Sequence, residues 1–180
     1  MINLKNHWTV QELVTIGVFT ASAKVITMVV ALAGGGMNPI TLFLKNMIFT
    51  TFFIVMLFKV RKQGTMLLST FISMIISMML MGAEATTSFG MFLASFIGEL
   101  FIFLCGGMKR TFAPIIGVAM FDLSYRILSL GISYIATRET PEIIAIVFPI
   151  IAIGYIGAVF GLFSGYKAVK ELRHAGIVRN

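Results

Sequence analysis

The stretch TVQELVTIGVFTASAKVITMVVALA, residues 9–33, decides the architecture. Thr9-Val10-Gln11-Glu12 is a capping box, and Trp8 and Leu13 stand where a hydrophobic staple closes a helix start. The run that follows exceeds the roughly 20 apolar residues a helix needs to cross a bilayer. It stops at Gly34-Gly35-Gly36. One residue interrupts it. Lys24 places an ammonium where insertion costs about 2.5–3.5 kcal/mol, and such a group persists by facing another charge, a cavity or a bound solute.

The same pattern recurs along the chain. Asn38 caps a second helix with Pro39 in its first turn, expected over 39–58 and ending at Lys59-Val60-Arg61-Lys62. A third is expected over 65–82. A polar link from Glu84 to Ser88 leads to a fourth over 89–106, closed by Gly106 and Gly107. Pro114 opens a fifth over 114–135, and Thr140-Pro141 opens a sixth over 141–166. Pro149 removes a backbone donor inside the sixth and should bend it. Residues 167–180 read as a basic amphipathic tail on the cytoplasmic side. The expected fold is an all-α integral membrane protein, a compact single-domain bundle of six transmembrane helices.

Composition agrees. The 180 residues are 58% hydrophobic and 12% charged, against about 25% charged in a soluble domain. A core of this size cannot hide that much apolar surface from water, so lipid must be part of the solvent. The polar segment Met1–His7 and the length of the first run do not resemble a cleavable signal. The formal charge of +7 comes from residues between apolar runs rather than from one face, which reads as a topology signal and not as nucleic-acid binding. Lys5, Lys59, Arg61, Lys62, Lys109, Arg110, Lys167, Lys170, Arg173 and Arg179 fall on one side, and Arg138 on the other. The positive-inside rule then places both termini in the cytoplasm. A multi-pass protein of the cell membrane is expected.

Small residues mark helix contacts, because apolar side chains do not drive association in lipid. Thr65, Ser69, Ser73 and Ser77 repeat every four residues, as do Gly90, Ala94 and Gly98, then Gly157, Gly161 and Gly165, and the pair Gly17 and Ala21. Internal packing explains most of these. Cys105 and the methionines read as packing.

Five charges lie inside the spans: Lys24, Lys45, Glu99, Asp122 and Arg126. Counted at 1.5 Å per residue from the expected outer ends, Lys24, Glu99 and Arg126 lie roughly 14 Å deep, Lys45 roughly 10 Å and Asp122 roughly 20 Å. Asp122 and Arg126 are four apart and able to pair. Ser129 continues their face outward, and Ser95 accompanies Glu99. Two readings stay open: a closed network that fixes helix registry, or a polar pocket that opens outward. Aromatic residues near the outer ends (Phe89, Tyr134 and Phe148) would suit stacking on a planar ring.

Catalytic signatures are missing. His7 and His174 lie outside the spans, and there is no HExxH, GxSxG, CxxC or GxxxxGK[ST]. The chain is expected to be no enzyme and to hold neither metal nor cofactor.

The whole chain, with Val10-Gln11-Glu12-Leu13-Val14-Thr15-Ile16-Gly17-Val18-Phe19-Thr20-Ala21 as the opening of its first helix, resembles the substrate-binding S component of energy-coupling factor (ECF) vitamin transporters of bacteria. The resemblance implies a transmembrane T component and two cytoplasmic ATPases as partners, with ATP used by those subunits. It implies that Gly17 and Ala21, where that family commonly carries an Ala-xxx-Ala pair, dock the T component. It also implies an outward vitamin site, here drawn from Asn38, Glu84, Ser95, Glu99, Asp122, Arg126, Ser129 and Tyr134. A hydroxymethylpyrimidine or pyridoxine-like ring is the cargo leaned towards. Pantothenate, with its carboxylate, would make better use of Arg126 or Lys45. A self-sufficient ion-coupled transporter or channel, with Glu99 and Asp122 as relays, and a structural membrane protein are the competing classes. No inverted repeat joins the two halves.

Overall fold

The structure, a computed structural model, describes residues 8–35, 38–81, 85–136 and 142–176. They form six α-helices: α1 (Val10–Ala33), α2 (Pro39–Val60), α3 (Thr65–Met81), α4 (Ala85–Leu104), α5 (Phe112–Ala136) and α6 (Glu142–His174). Four carry stretches long and apolar enough to span a membrane, in α1, α2, α5 and α6, and α3 and α4 contribute shorter apolar segments.

Local sequence sets the helix starts. Thr9 Oγ1 accepts from the Glu12 amide at 3.3 Å, and the Glu12 carboxylate accepts from the Thr9 amide at 2.8 Å, so the capping box is complete. Asn38 Oδ1 accepts from the Thr41 amide at 2.7 Å and starts α2, with Pro39 in the first turn. Thr140-Pro141 lies outside the described residues.

Two boundaries differ from expectation. Helix α4 begins at Ala85 rather than near 89. Helix α6 continues to His174, so most of the basic tail is helix and not an appendage. Its inner face explains this: Val169 is fully buried, and Ala168 and Leu172 pack on the core. Arg173 and His174 in the last turn also suit the negative end of the helix dipole.

Helix α2 is the axis of the bundle, touching α1, α3, α5 and α6. Phe53, Ile54, Val55, Met56, Leu57 and Phe58 are buried without interruption, as expected of a helix covered on all sides. The glycine row of α6 lets it lie against α2 backbone to backbone. A Cβ at Gly157 would sit 2.5 Å from the Phe43 carbonyl oxygen, and one at Gly161 2.6 Å from that of Met47. Helices α4 and α5 cross as closely, with a Cβ at Gly98 meeting the Gly117 carbonyl oxygen at 3.0 Å and the reverse also true.

Helix α1 is two-faced. Ile16, Thr20, Ala23 and Thr27 turn inward, while Val14, Val18, Val25 and Val29 are each more than half exposed. The buried hydroxyl row of α3, Thr65, Ser69, Ser73 and Ser77, supplies a slim face. Ser69 and Ser73 border the inner stripe of α1 across a crevice of only about 10 Å³.

One end of the bundle gathers charge. Lys62 pairs with Glu12 at 2.7 Å. The Arg61 and Arg173 guanidinium groups lie 5.7 and 5.4 Å from the centre of the Phe58 ring. The α2–α3 and α4–α5 connections share a groove of about 600 Å³ with Arg61, Lys62 and Lys109 on its walls. The start of α1 and the end of α6 therefore sit at the same end, the one the positive-inside rule assigns to the cytoplasm.

Candidate solute-binding cleft

Towards the opposite end, α1, α2, α4 and α5 part to leave a cleft of about 280 Å³. Lys24 and Thr27 enter it from α1, Leu42, Lys45, Asn46 and Phe49 from α2, Met91 from α4, and Tyr125 and Arg126 from α5. Measured along each helix from its outer end, Lys45 lies about 9 Å in, Lys24 about 14 Å and Arg126 about 15 Å. Three cations thus share a layer of the outer half.

Arg126 is fixed by its neighbours. Its Nε donates to Asp122 Oδ2 at 2.7 Å and its Nη2 to Asp122 Oδ1 at 3.1 Å, one turn away on α5. Nη2 also donates to Asn46 Oδ1 at 3.0 Å, and Nη1 to the Ile151 carbonyl of α6 at 3.2 Å. Asn46 is held in turn by donating to the Leu42 carbonyl at 2.7 Å. The guanidinium lies 5.9 Å from the Tyr155 ring centre. Gly154 makes the room, since a Cβ there would stand 2.5 Å from Arg126 Nη1. Asp122 and Arg126 are both buried, and their bidentate geometry is the kind that tolerates low dielectric. The pair joins α5 to α2 and α6 and forms one wall of the cleft. The ion pair is thus a locked network, and a void lies beside it.

The lysines are held loosely by comparison. Lys24 Nζ donates to Ser77 Oγ of α3 at 2.7 Å. The hydroxyl row of α3 thereby reaches the site through its last member. Lys45 has no hydrogen bond or ion pair among the described residues.

The expected site set divides. Arg126 lines the cleft and Asp122 stands behind it. Glu99 does not join them. It lies about 21 Å from the start of α4 and near its other end. There its carboxylate accepts from the Met66 amide at 2.9 Å, with the amides of Gly64 and Leu67 also directed to it. Glu99 therefore caps α3 from a neighbouring helix, satisfying amides that α3 leaves unpaired. Glu99 is deeper than expected because α4 starts four residues earlier, at Ala85, than its polar linker suggests.

Asn38 is spent on the α1–α2 connection, donating to the Gly34 carbonyl as well as accepting from Thr41. Ser95 is fully buried and donates to the Phe92 carbonyl of its own helix. Ser129 and Tyr134 do not line the cleft, and Tyr134 is exposed. Glu84 lies outside the described residues. The sequence marks Lys24 and Lys45 as buried charges, and Lys45 as a partner for a carboxylate cargo, without placing either in the expected site set. Asn46, Tyr125, Thr27 and Gly154 had no flag of their own, although Lys45-Asn46 is a polar doublet inside an apolar span.

Gly17 and Ala21 lie on the outward side of α1, beside Val14, Val18 and Val25. A Cβ at Gly17 would meet nothing within 4 Å. Among the described residues nothing approaches Gly17 closely enough to require a small residue there.

A family model described as a hypothetical bacterial integral membrane protein (Trep_Strep) matches residues 10–139. No curated protein and no solved structure matches the chain. The matched segment holds α1 to α5 with every cleft-lining side chain, and its description agrees with the helical bundle and its apolar spans. The chain belongs to the Trep_Strep family of bacterial integral membrane proteins.

Proposed function

We propose that this protein is the solute-capture subunit of an energy-coupled importer, an S component of the ECF type, and that it has no catalytic activity of its own. The observation that carries the reading is the cleft itself. Three cationic side chains from three helices, about 9 to 15 Å below their outer ends, surround a void of about 280 Å³. Ionic groups kept solely to lock helices need no void between them. The remaining parts of the reading are the T component and two ATPases that complete the importer, and Gly17 with Ala21 as the docking face for the T component. The empty space beside Gly17 supports this assignment, because a smooth patch on a helix lets a second backbone approach.

The test is copurification. The full chain, tagged and expressed at native level, should bring down two ATPases and a second membrane subunit from detergent-solubilised bacterial membranes. Replacing Gly17 and Ala21 with Leu should abolish that association and leave the chain monodisperse. A chain that purifies alone and transports in proteoliposomes under an ion gradient belongs to the secondary-transporter class instead.

A further inference from the structure

We propose that the cleft selects a small water-soluble anion, a solute carrying a carboxylate, and that Lys24 and Lys45 are the groups that bind the charge. This rests on the capture reading above and narrows its cargo.

The argument is one of charge balance. Three cations line the cleft, and among the described residues one carboxylate, that of Asp122, stands with them. Asp122 is committed to Arg126 through both oxygens. Their pair is neutral, and four of the five guanidinium donor positions are occupied once Asn46 and the Ile151 carbonyl are included. Two ammonium groups remain. Lys24 has a hydroxyl for company, and among the described residues Lys45 has no partner. Both lie below the outer ends of their helices, where like charges repel more strongly than in water. An anion between them offsets that repulsion and supplies an acceptor that no described residue gives Lys45.

Other features set the size and shape. The volume of about 280 Å³ is at the small end of ligand sites. Phe49 and Tyr125 offer apolar and aromatic wall, and Thr27 and Asn46 sit beside the lysines. A compact acid with an apolar or planar body fits this lining. A neutral hydroxymethylpyrimidine or pyridoxine-like ring leaves both ammonium groups uncompensated, so the charge balance points away from it.

The experiment uses the full chain in phosphatidylcholine nanodiscs. A bacterial metabolite extract is split by anion exchange into an anionic fraction and a neutral-plus-cationic fraction. Each is passed over the protein and over empty discs, and retained solutes are identified by mass spectrometry. The expected result is enrichment of a small carboxylate from the anionic fraction alone. Its affinity should fall about 10- to 100-fold in Lys24→Gln and in Lys45→Gln, the loss of a charge-assisted hydrogen bond. Lys45→Arg, which keeps the charge, should retain most of the binding and shows that the site tolerates substitution. Enrichment from the neutral-plus-cationic fraction overturns the anionic class and leaves solute capture standing. Enrichment of a carboxylate that neither Gln variant weakens overturns the role of the lysines. An anionic phospholipid as the sole retained anion overturns the soluble cargo. No solute from either fraction overturns the capture reading as well.

Discussion

Asp122 holds Arg126 through both carboxylate oxygens, at 2.7 and 3.1 Å, from one turn away on α5. The same guanidinium reaches Asn46 of α2 and the Ile151 carbonyl of α6. One ion pair thereby ties three helices together along one wall of the cleft. Asp122→Ala leaves the Arg126 charge buried without its counterion, and the expected loss is about 3–5 kcal/mol. The double variant Asp122→Leu, Arg126→Met removes both charges and should recover most of that loss. Thermal unfolding in a fixed detergent measures both. A single variant as stable as the parent would show that the pair carries little of the packing.

Glu99 separates stability from capture. Its carboxylate receives the Met66 amide and neighbouring amides of the first turn of α3. Glu99→Ala should cost about 2 kcal/mol, as for a lost helix cap with a charged acceptor. Solute retention by the folded fraction should stay at the parent level, since Glu99 is absent from the cleft lining. Titration of the captured solute into detergent-purified variant checks this, and an affinity loss above about tenfold would restore Glu99 to the site.

The glycines differ in what they meet. Gly157→Ala and Gly161→Ala each drive a methyl into the α2 backbone, at 2.5 and 2.6 Å from a carbonyl oxygen. Each should destabilise by about 1–3 kcal/mol, the usual range for overpacking. Gly17→Ala meets nothing within 4 Å and should leave the melting temperature unchanged or slightly raised, because Ala is the better helix former. Equal losses at all three positions would contradict the packing described for α6.

Ser77 tests the support of Lys24. Its hydroxyl is the acceptor for the Lys24 ammonium at 2.7 Å. Ser77→Ala leaves that ammonium without an acceptor among the described residues, and a loss of about 1–3 kcal/mol is expected in the solute-free protein. Adding Lys24→Met to Ser77→Ala should reverse most of it, because the unpaired charge is then gone. Differential scanning fluorimetry of the four proteins gives the coupling directly. Additive effects would mean the contact carries no energy.

Much of the molecule is written in the chain. Apolar runs bounded by Thr9-Val10-Gln11-Glu12, Asn38-Pro39 and the glycine stops give the helices, because capping groups and hydropathy act over a few neighbours and in a lipid solvent. The alternation of charged connections gives sidedness for the same reason. Intramembrane charge also marks Lys24, Lys45, Asp122 and Arg126 as costly and therefore purposeful. The pairing of Asp122 with Arg126 follows from their spacing on one helix.

What the chain order leaves open is which distant residues meet. Glu99 and Arg126 look alike in sequence, yet the first serves backbone amides of α3 and the second borders a void. That difference arises from the start of α4 at Ala85 and from the path of α3, neither of which is local to Glu99. Asn46 and Gly154 acquire roles only because the glycine row of α6 brings it onto α2, within reach of α5. Hydropathy and capping are sums over neighbours in the chain and can be read in order. A cleft is a gap between helices, and its lining exists only once close packing has fixed their separations and rotations.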